Sequence, residues 1–401
     1  MKKVLFVTEP LPYPVRSGGV LRVASLIKAL AKYSNYETHV LGFQPEAYQD
    51  GHLAKARADM QNVTLHPHTV NRQQVGLLRS LNFLTTGNPA QLSLNIKQAL
   101  ANLHRQYQFD VIQFERTNVG FYVDAVPPLA KSPLLVLDCH DVMTVWWKRV
   151  FEYEKHLGRR AKALSRYAGF KFWEPRLLKR FGRVLACSES DAKHLQRISS
   201  HSQIRVVPNG VDCHSLTPLP PTTNQKFDYI LFVGNFSYQP NRQAAHFMAE
   251  EIMPQVMRLL PAHKPKLLLV GGAPTPDIES LPKQFNWVEL RADVPEVVPC
   301  YAATSVVVAP IQFGTGTRLK ILEAMALGRA IVTTRLGCEG IPLQDGEHAL
   351  IADAPLDFAR KVARLIAEPE FAVNLAYKAR SLAENQFDWD KIGKTLIECY
   401  E

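Results

Sequence analysis

Apolar and polar positions alternate between two periods along most of the chain. Short apolar runs are separated by longer stretches in which apolar residues recur at helical spacing. In the first half the runs predict strands at residues 4–8, 38–42, 63–66, 111–114, 134–137, 184–188 and 204–207. Helices are expected at about residues 19–33, ahead of residue 111 and from residue 191. Strands separated by helices imply a parallel sheet. The series stops at Pro208-Asn209-Gly210, a strong turn signal, and a proline-rich polar stretch at 216–225 reads as an interdomain linker. A second series then predicts strands at 229–233, 266–270, 287–290, 305–309 and 330–333. Its helices are expected at 241–260, 317–327 and from residue 355 to the end.

The pattern therefore predicts an α/β protein of two doubly wound, Rossmann-like parallel-sheet domains facing a central cleft. With 401 residues, two comparable cores are expected. The expected division is an N-terminal domain over residues 1–212, a C-terminal domain over 213–385, and a final helix over 386–401 that packs back on the N-terminal domain. Ligands in such sheets bind beyond the carboxyl ends of the strands.

Composition narrows the class. Hydrophobic residues make up 46% and charged residues 21%, which suggests neither a disordered chain nor a membrane-spanning one, and no apolar run reaches the length of a spanning helix. The apolar start after Met-Lys-Lys is too short for a signal peptide core, so the expected location is the cytoplasm. Six scattered cysteines, without a Cys-x-x-Cys pair, predict small buried side chains and neither a disulfide frame nor a metal knuckle. His66 and His68, flanking a proline, are expected to be structural.

Charge separates the halves. Residues 1–200 hold 28 Lys and Arg against 15 Asp and Glu, whereas residues 201–401 hold 19 against 22. The excess concentrates at 151–200, where Arg159, Arg160, Lys162, Lys171, Arg176 and Lys179 are interleaved with Phe170, Phe172, Trp173, Leu177, Leu178 and Phe181. This mixture fits an anionic membrane surface at the inner face of the membrane, or a merely solvated helix face. It contains no recognised nucleic-acid module, and nucleic acid is not an expected partner.

Three strand-to-helix turns carry candidate chemistry. After the first strand, Gly18 and Gly19 open a helix whose exposed amides favour anions, although such a turn also needs glycine for its φ angle alone. The dinucleotide fingerprint Gly-x-Gly-x-x-Gly is missing there, which counts against a dehydrogenase. After the strand at 134–137 come Asp138-Cys139-His140-Asp141, titratable groups suited to acid/base or transition-state work, or to capping the next helix. The third turn is Phe313-Gly314-Thr315-Gly316-Thr317-Arg318-Leu319-Lys320, with Glu323 one turn later. Glycines expose amides beside two cations, a cradle for a diphosphate without a metal, and Glu323 suits a ribose.

These residues resemble the family four glycosyltransferases of the GT-B fold, retaining enzymes that build bacterial surface polysaccharides and glycolipids. The resemblance spans nearly the whole chain. It adds Cys187 to Asp191, Val207 to Asp212, and Phe232-Val233-Gly234-Asn235 at the start of the second domain to the motifs above. It implies a nucleotide diphosphate sugar donor (UDP-, GDP- or another), held mainly by the second domain, and a glycan or lipid-linked acceptor. No cofactor and no metal are implied. Glu323 would hold the ribose, Arg318 and Lys320 the diphosphate, and Thr315, Gly316 and Thr317 the donor sugar. Gly234 and Asn235 would line the donor site, and Gly18 and Gly19 would close over the phosphates. His140 and Asp141 would be the catalytic pair. Glu115, Arg116 and the loop at 84–89 would meet the acceptor.

Two departures stand out. Thr315 occupies the position where many members carry a Glu eight residues before the ribose-binding one. Asn235, Ser237, Gln239 and Asn241 stand where many carry an Arg and a Lys, and Arg318 and Lys320 look like the replacement cations. Glu115 and Asp141 keep a double-displacement or inverting scheme open beside the retaining one. A nucleotide-sugar epimerase and a non-catalytic subunit of the same fold are the alternatives.

Overall fold

The computed structural model describes residues 1–15, 17–45, 50–70, 94–200, 203–220, 228–263 and 265–401. The loop at 84–89 and Arg16 lie outside them. The chain forms two compact units, Met1–Asn209 with Trp389–Glu401, and Gly210–Asp388.

Among the described residues of the first unit, seven strands form one sheet. They are β1 (Lys2–Thr8), β2 (Tyr36–Pro45), β3 (Val63–Val70), β4 (Val111–Glu115), β5 (Leu134–Cys139), β6 (Arg183–Ala186) and β7 (Ile204–Val206). Their spatial order is β3-β2-β1-β4-β5-β6-β7, and every neighbouring pair is parallel. The continuous apolar runs follow from burial on both faces. On β1, Leu5 and Val7 join one core layer, while Val4 and Phe6 join the other. That second layer also receives Leu26, Ile27 and Leu30 from the helix Gly18–Ala31, and Ile392 and Leu396 from the C-terminal helix Trp389–Glu398.

The second unit has a six-stranded parallel sheet among its described residues. Its strands are β8 (Asp228–Val233), β9 (Pro265–Gly271), β10 (Val288–Ala292), β11 (Val306–Ala309), β12 (Ile331–Thr333) and β13 (Leu350–Ile351), ordered β10-β9-β8-β11-β12-β13. Ile230 and Phe232 face one core layer and Leu231 the other. In both sheets the strand order reverses beside the unit's first strand, between β1 and β4 and between β8 and β11. That reversal opens a crevice at the strand ends, the usual ligand position.

Two sequence expectations change. The stretch at 216–225 is not a free linker where it is described, because it packs onto the second unit. Leu219 N–H donates to the Leu327 carbonyl, and Arg329 Nη1 donates to the Pro220 carbonyl at 3.0 Å. The single helix expected at 241–260 is interrupted by a π-helical turn, Met248–Ile252, in which Met253 N–H bonds to the Met248 carbonyl. Pro254 follows at once and has no N–H for the regular ladder, so a wider turn accommodates it. No helix among the described residues is long and apolar enough to cross a membrane. All six cysteines are buried and free.

Candidate active site

In the first unit the site begins at the ends of β4 and β5. Asp138 is fully buried and pairs with Arg22, whose Nε and Nη2 each donate to one carboxylate oxygen at 2.9 Å. The same guanidinium donates to the carbonyls of Val207 and Pro208 and to Asn209 Oδ1, so it clamps the helix Gly18–Ala31 to the end of β5 and the chain after β7. Arg22 holds the Asp138 carboxyl well below the ordinary carboxylate range, overcoming the opposite effect of burial.

His140 follows, 8% exposed. Its Nε2 lies 2.9 Å from Glu115 Oε2 and 3.6 Å from Asp138 Oδ2. Glu115 is buried, and its other oxygen accepts from Gln113 Nε2 at 2.8 Å. Burial and the nearby Asp138 charge push the Glu115 carboxyl upward. Arg116 Nε donates to His140 Nδ1 at 3.3 Å, which assigns the ring proton to Nε2. Burial disfavours a second proton on His140, but the bonds and charges of Asp138 and Glu115 outweigh it and raise its pKa. A proton on Nδ1 would oppose the Arg116 N–H, so the imidazolium forms only when Arg116 turns away.

Arg116 is itself in an unusual conformation, with φ at 76°. A non-glycine residue held there marks a constrained turn. Its guanidinium lies against Gly19, where a Cβ would come within 2.0 Å of Nη2, so only glycine lets the cation reach the N-terminus of that helix. Gly18 and Gly19, Arg116, His140 and Glu115 are thus brought together. Asp141 follows half-buried, ahead of the helix Met143–Tyr153. Glu115, expected to meet the acceptor, has both oxygens engaged within the protein. Together with Asp138 and His140 it forms a tight cluster of metal-ligand types. The fit to a cation is poor, because Arg22 occupies both oxygens of Asp138 and Gln113 one of Glu115.

In the second unit, Gly234 and Asn235 follow β8, and the loop after β11 carries Gly314 and Gly316 at φ 114° and 80°. The helix begins at Leu319, so Thr317 and Arg318 lie before it rather than inside it. Arg318 Nη1 donates to the carbonyls of Thr315 (2.6 Å) and Gly316, which turns the loop back on itself. Thr315 is buried.

Lys320 is 9% exposed and crosses to the other arm of the site. Its Nζ donates to Asn241 Oδ1 at 2.9 Å and lies 4.0 Å from the centre of the Phe232 ring. Asn241 Nδ2 donates to the Asn235 carbonyl at 2.9 Å, so the cation is fixed beside the end of β8. Among the described residues no carboxylate pairs with this ammonium. Burial and the neighbouring Arg318 push its pKa down to about 7. Glu323, half-buried one turn on, accepts from Tyr301 OH at 3.0 Å. Burial raises its carboxyl, opposed by Tyr301 and Lys320.

Arg22, Gln113 and Tyr301 had not been singled out from the sequence. Arg22 carried a signal: it is a charge on a helix face otherwise made of Val23, Leu26, Ile27 and Leu30, where only a buried partner makes it tolerable.

Two parallel sheets of this topology, each with glycine-bearing turns at its reversal point, are the paired Rossmann-like sheets of the GT-B fold. The comparisons agree. Residues 16–215 match Glycosyltransferase Family 4 and residues 228–368 match Glycosyl transferases group 1. The chain belongs to these glycosyltransferases. It is 22% identical to an uncharacterized 44.6 kDa protein in the cps region of Klebsiella pneumoniae, over 99% of this chain and 100% of that one. Sucrose-phosphate synthase from Thermosynechococcus elongatus superposes with a TM-score of 0.74 at 18% identity, covering 100% of this chain and 98% of the other. Anabaena Alr3699/HepE in complex with UDP and glucose gives 0.67 at 15% identity, with 99% of each chain covered. At these identities the solved structures establish the fold.

Proposed function

We propose that this chain is a retaining, metal-independent hexosyltransferase that moves a sugar from a nucleotide diphosphate sugar to a glycan or lipid-linked acceptor in surface-polysaccharide assembly at the inner face of the membrane. The observation that carries the reading is Lys320. Among the described residues this buried ammonium meets an amide oxygen and a ring face but pairs with no carboxylate, and a buried charge without a partner is costly. A diphosphate would supply the missing anion. The amides of the loop at 314–317 and of Gly234 and Asn235 would add donors, and Glu323 would accept from the ribose hydroxyls.

Cleaving the glycosyl phosphate bond places negative charge on the leaving diphosphate and positive charge on the sugar. Arg318, and Lys320 once the diphosphate has drawn a proton onto it, stabilise the first. Within the first unit, His140 with Asp141 beside it is suited to orienting a sugar and sharing its charge, and Gly18 and Gly19 open a helix whose amides suit phosphate. Arg116 meets the acceptor, and Glu115 acts through His140 rather than on the acceptor itself. The diphosphate takes the acceptor proton as the new bond forms on the face it vacates, which retains the anomeric configuration. The cps-region relative supports the polysaccharide setting, and the UDP complex of Alr3699/HepE supports a nucleotide donor.

The test is a screen of UDP, GDP, ADP and dTDP and their sugars by thermal shift and by release of free nucleotide. One nucleotide should be preferred, and that preference should vanish in Arg318→Ala and Glu323→Ala. Absence of binding by all four would overturn the reading. Turnover to a new sugar nucleotide without acceptor would mean epimerisation, and the anomer of the product, read by NMR, decides retention.

A further inference from the structure

The basic stretch at 151–183 forms the end of one helix, Met143–Tyr153, and all of the next, Leu157–Leu178. The second helix buries Ala163, Phe170, Glu174, Leu177 and Leu178 on one side. Phe170, Leu177 and Leu178, which the sequence offered as surface anchors, are therefore core. On the opposite side Leu157 is 81% exposed, Leu164 47% and Phe172 49%. Exposed Ala161 and Ala168 fall between them, so the five residues form one band along the helix.

The flanks of this band are basic. Between residues 157 and 179 the sequence has seven Lys and Arg and a single acidic residue, Glu174. Glu174 is fully buried, where its carboxylate accepts from the backbone N–H of Met143 and Thr144 at 2.8 and 2.9 Å. The exposed face therefore carries no negative charge of its own. Arg176 lies over the Phe172 ring at 3.5 Å, and Arg160 over Phe151 at 4.8 Å. Both cations stand beside apolar surface rather than beside carboxylates, the arrangement of side chains that lie at an apolar–polar boundary.

We propose that this helix face docks the chain onto an anionic lipid surface. Cations alone would suit any polyanion. The continuous band of Leu157, Ala161, Leu164, Ala168 and Phe172 between them favours lipid, because it offers apolar area that a soluble polyanion leaves wet. The inference does not depend on the donor reading, since lipid binding is measured without turnover.

The test is sedimentation of the full chain with phosphatidylcholine vesicles, with or without phosphatidylglycerol. Binding should require phosphatidylglycerol and weaken with salt. Arg160→Gln/Lys171→Gln should weaken it by about fivefold per cation. Leu157→Gln/Leu164→Gln changes only exposed side chains, so it should keep the parent's urea midpoint while losing most vesicle binding. Equal sedimentation with both vesicle types would overturn the proposal. So would undiminished binding by the leucine variant, particularly if heparin displaced the parent, which would identify a soluble polyanion as the partner.

Discussion

Replacing Arg22 with Met tests the framework beneath the first-unit site. Arg22 is 1% exposed and makes five hydrogen bonds, two to Asp138 and one each to Val207 O, Pro208 O and Asn209 Oδ1. Met retains much of the apolar stem but leaves a buried carboxylate and three acceptors without that donor. Breaking a buried pair from one side costs about 3–5 kcal/mol, a large share of the roughly 5–15 kcal/mol that stabilises a domain. Arg22→Met/Asp138→Leu removes the stranded charge and should recover about half, because each orphaned acceptor still costs about 1 kcal/mol or more. Four of the five tryptophans, Trp146, Trp147, Trp173 and Trp389, belong to the first unit, so urea unfolding in a Trp287→Phe background reports it alone.

The pH dependence has a definite sign. In the parent, the depressed Asp138 carboxyl contributes stability above the unfolded carboxylate pKa, and this is lost as pH falls through the folded value. In Arg22→Met the same carboxyl is buried without its cation, so acidification through about pH 4 relieves it. The deficit should be greatest at neutral pH and shrink on acidification. A loss under about 1 kcal/mol at neutral pH, or no recovery in the double variant, would refute the reasoning.

Because the Lys320 pKa is about 7, nucleotide binding should weaken as pH rises above that value, with proton uptake visible when calorimetry is repeated in buffers of different ionisation enthalpy. Lys320→Met should bind weakly and without that uptake; an unchanged proton count would remove Lys320 from the site. Glu174→Ala should cost the first unit about 1–3 kcal/mol and speed hydrogen exchange at Met143 and Thr144, the two amides it accepts from. Gly271→Ala places a Cβ 1.8 Å from the Gly234 carbonyl oxygen at φ 152°, so it should displace the end of β8. Urea unfolding read by hydrogen exchange at the second-unit amides should show a loss of at least about 1–3 kcal/mol, and an unchanged midpoint would mean that the crowding is relieved elsewhere.

Much of the architecture was legible because both sheets are buried on two faces, which leaves apolar runs such as Val4 to Val7 and Val306 to Ala309 that need no neighbour to be recognised. The short β13 was not legible, since two residues carry no period. The helix Leu157–Leu178 was read only as a basic mixture, because Pro175 and the many charges mask a stripe that contacts reveal. At the site, glycine positions and cations marked the turn after β11. What the sequence hid was direction: Arg318 folds back on its own loop, whereas Lys320 reaches Asn241, 79 positions away in the chain. Nothing local in either residue distinguishes those outcomes.

The same consideration explains the C-terminal segment. Tyr400 OH donates to Gln113 Oε1 at 2.7 Å, which turns the Gln113 amide nitrogen toward Glu115. Glu115 then presents its remaining oxygen to His140 Nε2. From the other end, Arg116 can only donate, so His140 Nδ1 must accept and Nε2 must carry the proton. Both ends impose the same polarity on the chain. The Tyr400 hydroxyl thereby helps to fix which nitrogen of His140 holds the proton, through two buried groups, Gln113 and Glu115. The segment after Trp389 therefore does more than cover the helix Gly18–Ala31. Its register against β4 sets the orientation of the hydrogen bonds that reach the histidine.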